Sequence, residues 1–79
     1  MKIQTGSVVI AVAGRDSGGH FVVTGCDERF CYIADGKSRK LSSPKRKNIK
    51  HIRLTDSMID INGITDKKLR IMLRALDQE

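Results

Sequence analysis

The stretch GSVVIAVAGRDSGGHFVVT, residues 6–24, decides the fold. Its first half is an apolar, β-branched run bracketed by Gly6 and Gly14, and that composition predicts a strand. Three glycines in residues 14–19 predict a turn, because glycine adopts backbone conformations that other residues avoid. Residues 20–24 are again apolar and β-branched, so they predict a second strand. The chain is therefore expected to contain two antiparallel strands joined by a glycine turn.

The next thirty residues predict three more strands. Residues 30–34 form the third strand, which ends at residues 35–36, an Asp-Gly pair typical of tight hairpins. Residues 37–43 are expected to form a polar, basic fourth strand at a sheet edge, where charge deters unwanted pairing. Pro44 ends that strand and opens a loop over residues 44–48. Residues 49–54 then complete a small, highly curved antiparallel barrel of five strands.

A helix is predicted after the barrel. The barrel should occupy about residues 3–55, followed by an irregular connection over residues 56–64 and a short C-terminal α-helix over about residues 66–77. Thr65 is the expected N-cap of this helix. The spacing i, i+3, i+4, i+7 gives it one apolar stripe, formed by Leu69, Met72, Leu73 and Leu76. This stripe is expected to pack on the barrel, the alternative being a docking surface for a partner protein.

Length and composition favour one non-catalytic domain over residues 1–79. The chain has only 79 residues and three aromatic side chains, one Tyr and two Phe, too few for a large sheltered catalytic cleft. His20 and His51 are the only side chains that ordinarily titrate near neutral pH, and no nucleophile or phosphate-loop motif accompanies them. We therefore expect no enzyme activity, no small-molecule substrate and no cofactor.

Targeting signals and cysteines point to the cytoplasm. No apolar run approaches the length of a membrane span, and the first residues do not resemble a signal peptide. Cys26 and Cys31 could face each other across a short turn, which would allow a disulfide, but free thiols are favoured in a cytoplasmic protein. Two cysteines and two distant histidines do not make a zinc site, so no metal is expected.

Positive charge is concentrated in one segment. The formal net charge is +6. Residues 37–53 contain eight of the 15 Lys and Arg and none of the nine Asp and Glu, which leaves seven cations and nine acids elsewhere. The excess is therefore local, as expected of a surface that binds a polyanion. The alternative is a solvated basic loop that serves solubility alone.

RNA is the favoured polyanion. Lys and Arg on strands and loops neutralise phosphates and give salt-sensitive, largely sequence-independent affinity. Structured RNA is preferred because single-strand binders rely on aromatic stacking platforms, and this chain has few aromatics. DNA is less favoured, since no helix carries the basic patch.

Residues 6–23 resemble the KOW motif, a pair of strands joined by a glycine-containing turn that occurs in ribosomal proteins and transcription-elongation factors. The segment from Asp35-Gly36 through a basic run to Asn48-Ile-Lys-His-Ile52 narrows the match. It is similar to the fourteen-e family of archaeal and eukaryotic large-subunit ribosomal proteins. The resemblance spans about residues 5–54, roughly two thirds of the chain.

This resemblance implies an SH3-like barrel that binds ribosomal RNA and has a place in translation. The residues expected to face RNA are Arg15, Lys37, Arg39, Lys40, Lys45, Arg46, Lys47, Lys50, His51 and Arg53. The glycines expected to shape the motif are Gly6, Gly14 and Gly18. Partners would be large-subunit ribosomal RNA and ribosomal proteins, and the chain is expected to be a monomer. The alternative function is a KOW-type adaptor that binds proteins in transcription elongation or ribosome assembly.

Overall fold

The computed structural model describes residues 2–15 and 17–77, so Asp16 of the KOW-like turn lies outside the described residues. The elements are the strands β1 (Ser7–Ala11), β2 (His20–Cys26), β3 (Phe30–Ala34), β4 (Lys45–Asn48) and β5 (Ile52–Met58), a 3-10 turn (Ile49–His51) between β4 and β5, and the helix α1 (Asp66–Asp77). The predicted fold class is confirmed: the chain is mostly β, with five antiparallel strands and one C-terminal helix.

The glycine turn joins β1 to β2 as the sequence predicts. Val8 lies opposite Val22, and Val9 lies opposite Phe21. The Gly18 amide closes the turn by donating to the carbonyl oxygen of Ala11 at 2.7 Å. Three glycines have the left-handed backbone that the motif was expected to need: Gly6 at φ 92°, Gly14 at φ 80° and Gly18 at φ 88°.

The sheet curls sharply at the end of β4. The strand order is β4-β3-β2-β1-β5, so β4 and β5 are the two edges. In a flat sheet these edges would lie about 19 Å apart, four strand spacings. Only the three residues Ile49–His51 connect them, and a 3-10 turn of that length rises about 6 Å. The sheet must therefore curl until its edges approach, which produces the barrel.

The inner face of the sheet and part of its outer face are buried. The inner face, which the barrel encloses, carries a buried cluster of Val9, Ala11, Phe21, Val23, Cys31, Ile33 and Ile52. The outer face packs against α1 and the segment that precedes it through Val8, Val22, Ala34, Ile59, Leu69 and Leu73. This packing explains why β1 is apolar at consecutive positions. Successive side chains of a strand point to opposite faces, and in β1 both faces are buried. Leu69 and Leu73 pack on the sheet as predicted, whereas Met72 is 37% exposed.

The predicted fourth strand is wrong. Residues 37–43 form part of a ten-residue loop over residues 35–44, and β4 begins only after Pro44. The Asp35 carboxylate accepts hydrogen bonds from the amides of Lys37 and Arg39, both at 2.9 Å. The Asp35 and Gly36 amides donate to the carbonyl oxygen of Arg39. These local bonds use the backbone groups that a strand ladder would need, so the Asp-Gly pair opens a loop and not a tight hairpin.

The predicted fifth strand also differs. Its first three residues are the 3-10 turn, which begins where the Asn48 side chain accepts a hydrogen bond from the Lys50 amide at 2.9 Å. An asparagine cap of this kind favours a turn over a strand. β5 then continues to Met58, where it pairs with Ser7, so the barrel extends beyond the predicted boundary at residue 55.

The helix α1 begins where the sequence predicts and forms hydrogen bonds with the loop 35–44. The Thr65 hydroxyl accepts a hydrogen bond from the Lys68 amide at 3.1 Å, which caps α1. The Asp66 carboxylate accepts from the Leu41 amide at 2.8 Å. The Arg70 guanidinium donates to the Gly36 carbonyl oxygen at 3.2 Å. The first turns of α1 are thus bonded to both ends of the loop.

Gly36→Ala is expected to lower the free energy of unfolding by about 2 kcal/mol or more. Gly36 has φ 76°, and a Cβ there would collide with the backbone carbonyl of Asp66. Gly63→Ala is the matched control, because Gly63 has a similar φ of 68° and no neighbouring atom in the way. It should cost only about 1 kcal/mol, from backbone strain alone. Urea denaturation of both variants measures the difference, and equal losses would contradict close packing of the loop on α1.

Candidate nucleic-acid interface

Most of the expected RNA-facing cations lie on the surface. The exposed ones are Arg15 in the glycine turn, Lys37 and Lys40 in the loop 35–44, Lys45 and Arg46 on β4, Lys50 and His51 in the 3-10 turn, and Arg53 on β5. Because the 3-10 turn connects the two sheet edges, it brings the cations of β4 close to those at the start of β5. Residues 45–53 thus run through β4, the 3-10 turn and the start of β5 without interruption.

Lys47 is placed differently from the other cations. Its side chain is only 8% exposed, and its Nζ donates a hydrogen bond to the carbonyl oxygen of Ala13 at 2.8 Å. Lys47 lies opposite Cys31, on the inner face. It therefore reaches from the edge strand β4 to the end of β1. This hydrogen bond ties β4 to the segment that follows β1.

Arg39 is intermediate between these two groups. It is partly buried in the loop 35–44, and its backbone carbonyl receives the two amides that shape that loop. Its neighbours Lys37 and Lys40 are exposed. The loop therefore offers two lysines outward while Arg39 takes part in its internal structure.

The outer face of β3 and β4 carries aromatic and planar groups together. Tyr32 lies opposite Arg46, and Phe30 lies opposite Asn48. The Arg46 guanidinium carbon lies 4.5 Å from the centroid of the Phe30 ring, a cation–π contact. Tyr32 is 38% exposed. Sequence reasoning did not single out either aromatic, although period-two alternation places Phe30 and Tyr32 on the same face.

A carboxylate orders the turn beside this face. Asp27 accepts hydrogen bonds from the amides of Phe30 and Arg29, both at 2.8 Å. These two bonds, Phe30 first, hold the pKa of Asp27 below its usual value, and the charges of Arg46 and Arg29 add to the effect. Asp27 is thus an anion that fixes the β2–β3 turn and lies near Arg46.

The two cysteines are free and lie opposite each other on β2 and β3. Cys26 is exposed, and its thiol donates to the Ile3 carbonyl oxygen. Cys31 is fully buried on the inner face. Burial, with the neighbouring Cys26 as a smaller cause, raises the pKa of the Cys31 thiol to about 11. Cys31 is therefore a neutral side chain of the core at physiological pH.

The described parts of the chain do not place three or more His, Cys, Asp or Glu where they could hold a metal ion. His20 lies at the start of β2 and His51 in the 3-10 turn. Across residues 2–15 and 17–77, no helix is long and apolar enough to span a membrane.

Lys47→Gln is expected to lower the free energy of unfolding by about 1–2 kcal/mol, because it removes a part-buried hydrogen bond to Ala13. Lys45→Gln removes the same charge from the same strand at an exposed position. This control should change stability by less than about 0.5 kcal/mol. Urea denaturation compares the two variants. Equal stability of both would show that the Lys47 contact contributes nothing to closure of the barrel.

The free energy of unfolding is expected to fall as pH rises from about 9 to 11. The folded protein keeps the Cys31 proton up to about pH 11, whereas the unfolded chain loses it near the ordinary value of 9.0. The stabilisation is therefore complete below pH 9 and is lost above it. Cys31→Ala should show a smaller fall over this range, which urea titrations at several pH values would detect. An unchanged pH dependence would contradict the assignment to Cys31.

The chain resembles two large-subunit ribosomal proteins over most of its length. It is 37% identical over 76 residues to the large ribosomal subunit protein eL14 of Staphylothermus marinus, a match that covers 94% of this chain and 76% of the relative. It is 38% identical over 77 residues to eL14 of Pyrobaculum calidifontis, covering 95% of this chain and 72% of the relative. No family model matches the sequence. The resemblance inferred from the sequence is thereby confirmed, and the chain belongs to the eL14 family of large ribosomal subunit proteins.

Proposed function

We propose that this protein is a non-catalytic component of the large ribosomal subunit, or an associate of it, that docks structured ribosomal RNA through its exposed cations. The observation that carries the proposal is the acid-free segment 37–53, most of whose cations the fold places on the surface. The named relatives are large-subunit proteins, which supports ribosomal RNA as the polyanion.

The docking surface consists of two adjoining parts. The loop 35–44 supplies Lys37 and Lys40 and is held by hydrogen bonds to α1. The end of the barrel supplies Lys45, Lys50 and Arg53 from β4, the 3-10 turn and β5. Rigid elements hold these cations at fixed spacings, so they can match the spacing of phosphates along a folded RNA. Recognition then depends on RNA shape, because side chains do not reach the bases in the deep major groove of A-form RNA.

Arg15 and His51 extend this surface. The His51 carbonyl oxygen accepts a hydrogen bond from the Val12 amide at 2.9 Å, which joins the 3-10 turn to the start of the glycine turn. Arg15 follows in that turn and is exposed. We include both residues in the interface and assign Lys47 a structural role. Cofactor, small-molecule substrate and catalytic group form no part of the proposal, and the protein acts as a monomer in the cytoplasm.

A protein-binding adaptor is less well supported. That alternative relied on the apolar stripe of α1, and Leu69 and Leu73 of the stripe are buried against the sheet. Ile71 and Met72 remain exposed on the helix. They offer a small contact for a neighbouring ribosomal protein and not the extended surface of an adaptor.

The triple variant Lys40→Gln, Lys45→Gln, Lys50→Gln tests the proposal, with purified large-subunit ribosomal RNA as the probe. Affinity is measured by filter binding over a series of salt concentrations. Each phosphate contact contributes about 0.7–0.9 to the slope of log affinity against log salt. The triple variant should therefore lose about 2 from this slope. Co-sedimentation of the unaltered protein with large subunits, lost as salt rises, is the companion measurement.

The matched control is the triple variant Lys2→Gln, Lys67→Gln, Lys68→Gln. It removes the same charge from exposed positions outside the segment 37–53. Its salt slope should stay near that of the unaltered protein. Equal slopes for both triple variants would refute the proposed surface, and no binding of the unaltered protein to ribosomal RNA would refute the proposed function itself.

A further inference from the structure

We propose that the outer face of β3 and β4 binds an unpaired nucleobase, which stacks on Tyr32 and the Arg46 guanidinium. This site rests on the proposed function. The cationic surface contacts the phosphates of the RNA, and the stacking site adds a contact to one of its bases. The helix α1 covers the outer face at Val8, Val22 and Ala34. The same face continues to Tyr32 and Phe30, where α1 gives way to solvent.

The geometry suits a flat ligand. Arg46 lies over the Phe30 ring at 4.5 Å, so the ring holds the planar guanidinium on one side. Arg46 is itself exposed, and its cross-strand neighbour Tyr32 is 38% exposed. An aromatic ring and a guanidinium plane are the two side-chain surfaces on which unstacked RNA bases pack.

The surrounding charges favour a base over a phosphate at this position. Asp27 lies near enough to Arg46 for the two charges to interact. Its negative charge opposes a phosphate at Arg46, whereas stacking of a neutral base on the guanidinium is much less affected. The cations of the loop 35–44 and of the 3-10 turn remain available for the flanking phosphates.

A depression beside the stacking surface can take the rest of the nucleotide. It has a volume of about 420 Å³ and is lined by Glu28, Arg29, Asn48, Ile49 and Lys50. Asn48 is the cross-strand partner of Phe30, so the depression adjoins the aromatic face. Arg29 and Lys50 provide positive charge for the sugar-phosphate backbone, and Glu28 restricts where a phosphate can lie.

Tyrosine fluorescence tests the proposal directly, because Tyr32 is the only tyrosine and the chain has no tryptophan. A short single-stranded oligoadenylate is the probe, and inorganic polyphosphate of matched charge is its base-free control. Stacking should quench the emission of Tyr32 with oligoadenylate and leave it nearly unchanged with polyphosphate. Tyr32→Ala should bind the oligoadenylate roughly tenfold more weakly, as expected for the loss of one base stack. Tyr32→Phe should retain the affinity, since the ring remains.

Three outcomes would overturn the stacking site. The first is salt-sensitive binding of oligoadenylate with unchanged Tyr32 emission, which would leave the proposed docking of ribosomal RNA intact. The second is equal quenching by polyphosphate, which would mean that the emission responds to charge and not to a base. The third is no binding of oligoadenylate at all. Filter binding to ribosomal RNA would then test the proposed docking surface independently of the stacking site.

Discussion

The rest of the structure depends on the three-residue connection between β4 and β5. These strands are the opposite edges of the sheet, so a connection this short forces the edges together. The curled sheet then encloses the inner core, and Lys47 bonds across the closed side to Ala13. The same connection carries Lys50 and His51. Closure of the barrel and assembly of the cationic surface therefore have one cause.

The two faces of the curled sheet have different surroundings. The inner face is buried, and its apolar cluster includes the neutral Cys31. The outer face is divided between a part that α1 covers and a part that ends in Tyr32, Phe30 and Arg46. Two of the three aromatic side chains, Phe30 and Tyr32, thus lie on the outer face, and the third, Phe21, lies in the inner cluster. Phenylalanine is more often found in a protein core than on its surface.

Much of the fold was predictable because local patterns and tertiary packing agree. The glycine turn, the β-branched runs of β1 to β3 and the helix with its Thr65 cap all carry strong local signals. Prediction failed at residues 37–51, where polar side chains decide the backbone conformation. Asp35 and Asn48 bind nearby amides and convert expected strand into loop and 3-10 turn. The cationic segment itself was visible in the sequence, but the inward direction of Lys47 depends on the register of β4, which composition does not reveal.

The bonds between α1 and the loop 35–44 have a consequence for affinity. Asp66 and Arg70 hold the loop at Leu41 and Gly36 before any ligand arrives. In the proposed docking to RNA, its lysines would therefore lose less conformational entropy than the same residues in a mobile tail. The helix carries four Lys and Arg of its own, and its bonds to the loop also fix the positions of the loop's lysines. The positions of the loop's lysines thus depend on contacts behind them: two hydrogen bonds to the helix and the packing of Gly36 against its first residue.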